Sequence, residues 1–272
     1  MAQFNQIGSS ETGFIQANGL NMYYEEYGHG HPVILLHGGT LTSASWGPQI
    51  PTLAQHFRVI TPDSRGHGKT DNPSSKFSYR LMADDVAAFI QALNIYQPIV
   101  VGYSDGGQVA LELGMRYPQL VRGLAVGATW FKFSESYLAT LRHMGLERPG
   151  VVDIMQTETA MSDLIAMWQS VHARGSDYWK TLLLQLSYMW LTPLNYTTED
   201  FARVVTPTLI VVGDRDTFVP VEEAAEMYRL IPHGALAVVP NADHGLPFTH
   251  ADLFAQLVLA FLLQHSTETI AS

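Results

Sequence analysis

Short, almost wholly apolar runs alternate with stretches of helical spacing along most of this chain. Val33 to Leu36, Val59-Ile60, Ile99 to Val101, Thr208 to Val212 and Leu236 to Val239 lack the polar alternation of a half-exposed strand. Such runs fit strands buried on both faces, the mark of a parallel sheet with helices packed above and below it. Leu20 to Tyr27 reads as an early β ribbon, and Leu120 to Val126 as a further strand. Tyr79 to Leu93 has helical spacing, with Leu81, Val86, Phe89, Ile90 and Leu93 on one side. The apolar stretch from Leu253 to Leu263 predicts a packed C-terminal helix.

One segment breaks this rhythm. From Trp130 to about Arg203 there is no clear buried strand. The segment is helix-like and holds four of the five tryptophans, together with many Met, Phe and Tyr side chains. It reads as a helical insertion lying over the sheet. Most of these large side chains pack it onto the core, and a few line an apolar pocket, because Met and aromatic groups suit adaptable binding surfaces.

At 272 residues the chain fits one large α/β domain or two small ones, long enough to bury a core without staples. Cysteine is absent, which excludes disulfides, thiolate metal sites and a cysteine nucleophile. A net charge of −10 without a basic block argues against nucleic acid as a partner. Met1 to Gln6 show no basic region followed by an apolar stretch, so no secretory signal is expected. The longest apolar run falls short of the ~20 residues that span a bilayer. The expectation is a cytoplasmic protein with no membrane partner; its oligomeric state is not legible.

The chemistry begins at Gly102-Tyr103-Ser104-Asp105-Gly106. This Gly-x-Ser-x-Gly directly follows the apolar run Pro98 to Val101 and directly precedes the helix-like Gln108 to Leu113. Strand, sharp turn and helix together define a nucleophile elbow, which lifts a serine hydroxyl out from the top of a sheet. A serine hydroxyl needs a neighbouring base, and the base an acid to fix its tautomer. Both belong in loops after later strands. His244 in Asn241-Ala242-Asp243-His244-Gly245 follows Leu236 to Val239 and is the candidate base. Gly213-Asp214-Arg215-Asp216 follows Thr208 to Val212, and one of its aspartates orients His244. His29 and His31 lack a third ligand, so no metal is expected there.

Leu36-His37-Gly38-Gly39, Pro62-Asp63-Ser64-Arg65-Gly66-His67-Gly68, the elbow, Gly213 to Pro220 and Ala242-Asp243-His244 occur in one order. With that order the chain resembles the α/β-hydrolase-fold serine hydrolases that carry a cap, from about Gly19 to Leu263. The resemblance implies a mostly parallel central sheet with helices on both faces. Residues 1–129 and 204–272 would form the core and 130–203 the inserted helical cap. It implies Asp216, three residues after the loop glycine, as the acid; Asp214 is the alternative, and as a loop-capping residue it has a plainer explanation. It implies an oxyanion hole from the backbone N–H groups of Gly39 and Asp105, and loop-shaping roles for His37 and His67. Asp63 and Arg65 are expected to pair.

Tyr103, Trp130, Phe131, Trp168, Trp190 and Phe218 are the expected pocket residues. The Gly-x-Ser-Asp-Gly-Gly form is similar to that of valacyclovir-hydrolase-like enzymes. Asp105 is expected either to bias the pocket against anionic acyl groups or to cap the following helix or bond within the elbow.

The implied activity is a carboxylesterase acting on small to medium apolar esters through an acyl-enzyme, with no cofactor. Lactone hydrolysis and C–C bond hydrolysis use the same constellation. C–C hydrolases usually need cationic or polar groups to hold a dienoate, for which the insertion offers Arg142, Arg148, Arg174 and Lys180. A small-molecule receptor with little turnover is the reading of another class.

Overall fold

Asn18 and Gly19 both take positive φ, 48° and 75°. They form the two-residue turn whose twist suits a hairpin, joining β1 (Glu11–Ala17) to β2 (Leu20–Tyr27) in antiparallel register. The computed structural model describes residues 11–266; the reading of Met1 to Gln6 lies outside them. The predicted early ribbon is thus half of a hairpin whose other strand the apolar pattern did not show. β1 alternates exposed and half-buried positions at the edge of the sheet.

The remaining strands of the main sheet are β3 (His31–Leu36), β4 (Phe57–Pro62), β5 (Ile99–Tyr103), β6 (Gly123–Gly127), β7 (Thr208–Gly213) and β8 (Gly234–Val239). They complete an eight-stranded sheet of order β1-β2-β4-β3-β5-β6-β7-β8. Apart from the β1–β2 and β2–β4 pairs, neighbouring strands run parallel. β6 begins at Gly123 rather than Leu120, because Leu120 N–H closes a turn onto the Tyr117 carbonyl at 2.9 Å.

The unbroken apolar runs have a simple cause. Successive side chains point to opposite faces, and in the central strands both faces are covered; β8 is the exception, an edge strand in which Leu236 and Ala237 are half-buried and Val238 is exposed, because no strand flanks it on its outer side. Ile34, Leu36 and Val100 pack on one side with α1 (Tyr79–Ala92) and α2 (Asp105–Arg116). Val33, Leu35 and Val101 pack on the other with Trp46 and the C-terminal helix α9 (Ala251–His265). Each fully buried Val, Ile or Leu contributes about 1.5–3 kcal/mol relative to exposure.

Between β6 and β7 the chain forms α3 (Glu135–His143), α4 (Ile154–Ala160), α5 (Ser162–Val171), α6 (Tyr178–Trp190) and α7 (Thr198–Ala202). A short antiparallel hairpin, Leu146–Arg148 with Val151–Val152, follows α3. Trp168, Trp179 and Tyr137 are among the largest fully buried side chains of the described residues. The helix α8 (Val221–Leu230) joins β7 to β8. Among the described residues, no helix is long and apolar enough to cross a membrane.

The expected Asp63–Arg65 pair does not form. Arg65 makes a bidentate pair with Asp85 of α1, both contacts at 2.6 Å, with both side chains buried. Asp63 accepts the Ser43 and Lys69 N–H groups, each at 2.8 Å. The carboxylate on the loop satisfies backbone donors, and the buried guanidinium takes the acid on the facing helix.

Candidate active site

β3 leads its chain to one side of the sheet and β5 to the other, so a crevice opens at their carboxyl ends, where such sheets hold ligands. The Gly38-Gly39 loop follows β3 and Ser104 follows β5. Ser104 takes φ 54° and ψ −118°, a sharp turn between β5 and α2. The two motif glycines are required by contact. A methyl group on Gly102 would lie 2.1 Å from the Gly106 carbonyl oxygen, and one on Gly106 would lie 2.0 Å from the Leu36 carbonyl oxygen. Serine at a helix N-cap normally accepts a bond from the first turn. Ser104 occupies that position in α2 but makes no side-chain cap bond. Its Oγ stands instead 3.1 Å from His244 Nε2.

His244 Nδ1 lies 2.9 Å from Asp216 Oδ2. The Asp216 side chain is fully buried and also accepts the N–H groups of Phe218 and Val219, at 2.8 and 3.0 Å. The aspartate is therefore held by its own loop before it meets the imidazole. The Tyr103 hydroxyl donates to the His244 carbonyl, and the Phe218 ring packs on the imidazole at 4.3 Å between centroids. Asp214 faces away from this group and accepts the Asn241 N–H at 2.6 Å. Asp243 accepts the Gly245 N–H at 2.8 Å, a local turn. Among the described residues, neither the Gly39 nor the Asp105 N–H is taken up by a loop carbonyl or a side chain.

Above Ser104 lies a cavity of about 350 Å³, within the usual range for a small-molecule site. Tyr103, Trp130, Trp168, Trp190 and Phe218 line it. Phe131 does not. Its ring packs edge-on against Phe201 at 4.9 Å, and its N–H donates to Glu223, so it faces the core side of the insertion. Met144, Met161 and Met167 add to the apolar wall. None of Arg142, Arg148, Arg174 and Lys180 reaches it. Arg142 pairs with Glu135, Lys180 pairs with Asp177, and Arg174 donates to the Gly66 and Thr70 carbonyls.

Asp105 lines the cavity but does not take the capping role expected as the alternative. It is 1% exposed. Its carboxylate accepts the Tyr79 hydroxyl at 2.7 Å and the Trp190 indole N–H at 2.9 Å to each oxygen. Trp190 ends α6, so this carboxylate ties the insertion to the elbow. The fit also crowds Gly39, where a methyl group would come within 2.5 Å of both Asp105 Oδ2 and the Trp190 ring. Burial pushes the Asp105 carboxyl up to about 6, while the Tyr79 and Trp190 bonds and the nearby His244 pull it back.

Between about pH 4 and 6 the folded state keeps a proton that the unfolded chain has released. Stability from this group is present below that window and lost as pH rises through it, by up to roughly 3 kcal/mol. Asp105→Asn is therefore expected to gain on the parent between pH 4 and pH 7, read as the difference of their urea unfolding free energies. A constant difference across that range would refute the assignment.

Comparison with known proteins adds an independent line. The Alpha/beta hydrolase family matches residues 33–257. The 2-hydroxy-6-oxo-6-(2'-aminophenyl)hexa-2,4-dienoic acid hydrolase of Metapseudomonas resinovorans is 30% identical over 270 residues, covering 95% of this chain and 93% of that protein. Serine hydrolase BPHL of Homo sapiens is 28% identical over 265 residues, covering 94% and 88%. A solved serine hydrolase involved in carbazole degradation, the CarC enzyme, matches with a TM-score of 0.74 at 27% identity, covering 93% of this chain and 99% of that one.

Proposed function

The chain belongs to the alpha/beta hydrolase family, and from that premise we propose that it is a serine carboxylesterase for small to medium apolar esters. Ser104 is the nucleophile, His244 the general base and Asp216 the acid that orients it. The observation that carries this reading is the unbroken relay from Asp216 through His244 to Ser104 at the floor of an apolar cavity. Ser104 Oγ attacks the ester carbonyl carbon as His244 Nε2 takes its proton. The carbonyl oxygen becomes an oxyanion, stabilised by the Gly39 and Asp105 N–H groups and by the positive end of α2. His244 then protonates the leaving alcohol. A water deprotonated by His244 attacks the acyl-enzyme, and the acid leaves as Ser104 regains its proton. The segment 130–203 serves as a cap that closes the apolar wall.

The relative from Metapseudomonas resinovorans acts, by its name, on a dienoic acid. Such a substrate brings a carboxylate into the pocket. Here, among the described residues, no lysine or arginine lines the cavity, and a buried carboxylate, Asp105, does. An anion there would be desolvated without a partner, which is costly. That contrast favours neutral esters over a C–C substrate. A panel of p-nitrophenyl esters from acetate to dodecanoate tests the proposal. Rapid multiple turnover, highest at short to medium acyl chains, is the expected result and leaves no place for a receptor with little turnover. Inactivity on every ester, with turnover of a dienoate or a lactone instead, would replace the reading with that substrate class.

A further inference from the structure

Thr40 directly follows Gly39 and holds φ at 61°, a region that β-branched residues avoid. Both sides of its backbone are gripped by imidazoles. Its N–H donates to His67 Nε2 at 3.1 Å, and its carbonyl lies 3.1 Å from His172 Nε2. The remaining ring atoms assign the tautomers. His67 Nδ1 lies 2.8 Å from the Arg65 carbonyl and therefore carries the proton, leaving Nε2 as acceptor. His172 Nδ1 accepts the Gly68 N–H at 3.0 Å, so its own proton sits on Nε2 and is donated to Thr40. His37 completes the row, facing the Gly38 carbonyl through Nδ1 and accepting the Ser64 N–H through Nε2.

The rings stand 5.1 Å (His37 to His67) and 6.1 Å (His67 to His172) apart, all buried. His37 and His67 come from the core. His172 comes from the insertion, between α5 and α6. Around it, Ala173 N–H donates to the Gly68 carbonyl at 3.1 Å and the Tyr178 hydroxyl to the Gly66 carbonyl at 2.9 Å. Those contacts dock the insertion onto the 66–70 turn. His172 alone among them passes beyond that turn to the loop that carries Gly39.

We propose that His172 is a positioning residue for the hydrolysis, acting through Thr40 on the Gly39 N–H assigned to the oxyanion hole. The proposal rests on the serine-hydrolase reading above. With His67 on its N–H and His172 on its carbonyl, Thr40 is locked in its left-handed conformation. Without the His172 donor, Thr40 relaxes toward the extended region, and the change is taken up in the backbone torsions of Gly39, which join the Gly39–Thr40 peptide to the Gly38–Gly39 peptide that carries the Gly39 N–H. The Gly39 N–H then leaves the place where charge develops. The insertion thus sets the oxyanion hole from outside it.

The test is the second-order rate at which a fluorophosphonate probe labels Ser104, which needs no known substrate, together with kcat and KM on a p-nitrophenyl ester. His172→Asn keeps an acceptor for the Gly68 N–H but loses the donor to Thr40. His172→Gln keeps an N–H at the reach of Nε2. His172→Asn is expected to label about tenfold to a hundredfold more slowly, with the loss in kcat and KM within about twofold of the parent. His172→Gln is expected to recover most of the rate. Tyr178→Phe, which loosens the docking but leaves Thr40 untouched, is expected to label like the parent. Labelling of His172→Asn within about twofold of the parent overturns the proposal, as does an equal slowing in His172→Gln or Tyr178→Phe. A parent that does not react overturns the serine-hydrolase reading instead.

Discussion

Ser104→Ala is expected to lower ester turnover by about 10⁶, the loss found when a serine nucleophile is removed from such a relay. The rate left over comes from substrate binding and from the oxyanion donors, which are backbone groups and stay in place. The fold is expected to persist. Ser104 makes no cap bond for α2, and alanine meets the same backbone strain at φ 54°. Turnover should be followed on the best p-nitrophenyl ester with thermal melting as the control for folding. A variant that melts like the parent and retains more than about a hundredth of its activity would place the nucleophile elsewhere.

Asp216→Asn is expected to cost about 10⁴ in kcat. An amide nitrogen facing His244 Nδ1 would favour the tautomer with its proton on Nε2, where it can no longer take one from Ser104. The Phe218 and Val219 N–H groups would hold the amide oxygen and so turn the amide nitrogen toward the imidazole. Asp214→Asn is the matched comparison. Its partner is the Asn241 N–H, which an amide oxygen also satisfies, so kcat is expected to stay within about twofold. Equal losses in the two variants would undo the assignment of Asp216 as the orienting acid.

The parts of this protein legible in its sequence are those fixed by short-range physics. The central strands are legible because both faces are covered, leaving no polar positions; the equally apolar Leu236 to Val239 lies in an edge strand that is only partly covered. The elbow was legible because strand, turn and helix are consecutive and because Gly102 is set by a backbone contact within the turn itself, although Gly106 is set by the distant Leu36 carbonyl. What escaped depends on groups far apart in the chain. The partner of Arg65 is 20 residues away, on a helix. The donors to Asp105 lie 26 and 85 residues from it. Thr40 and His172 are 132 residues apart. Phe131 shows the same limit inside a composition signal: an aromatic-rich segment implies a pocket wall but not which rings face it. β1 was missed for another reason. An edge strand carries weak apolar patterning, and the Asn18-Gly19 turn that announces it was the stronger signal.

The contact between Asp105 and Trp190 has a consequence for how such a protein diversifies. The segment that supplies much of the cavity lining is fastened to the residue beside Ser104. Exchanging residues 130–203 for the corresponding segment of a relative, while keeping Asp105, would leave the buried carboxylate with the Tyr79 hydroxyl alone unless the new segment supplies an indole or an equivalent donor. Wall and elbow therefore form one heritable unit. Recombination that divides them carries a stability burden, and variation that keeps residues 105 and 190 matched leaves the rest of the wall free to change.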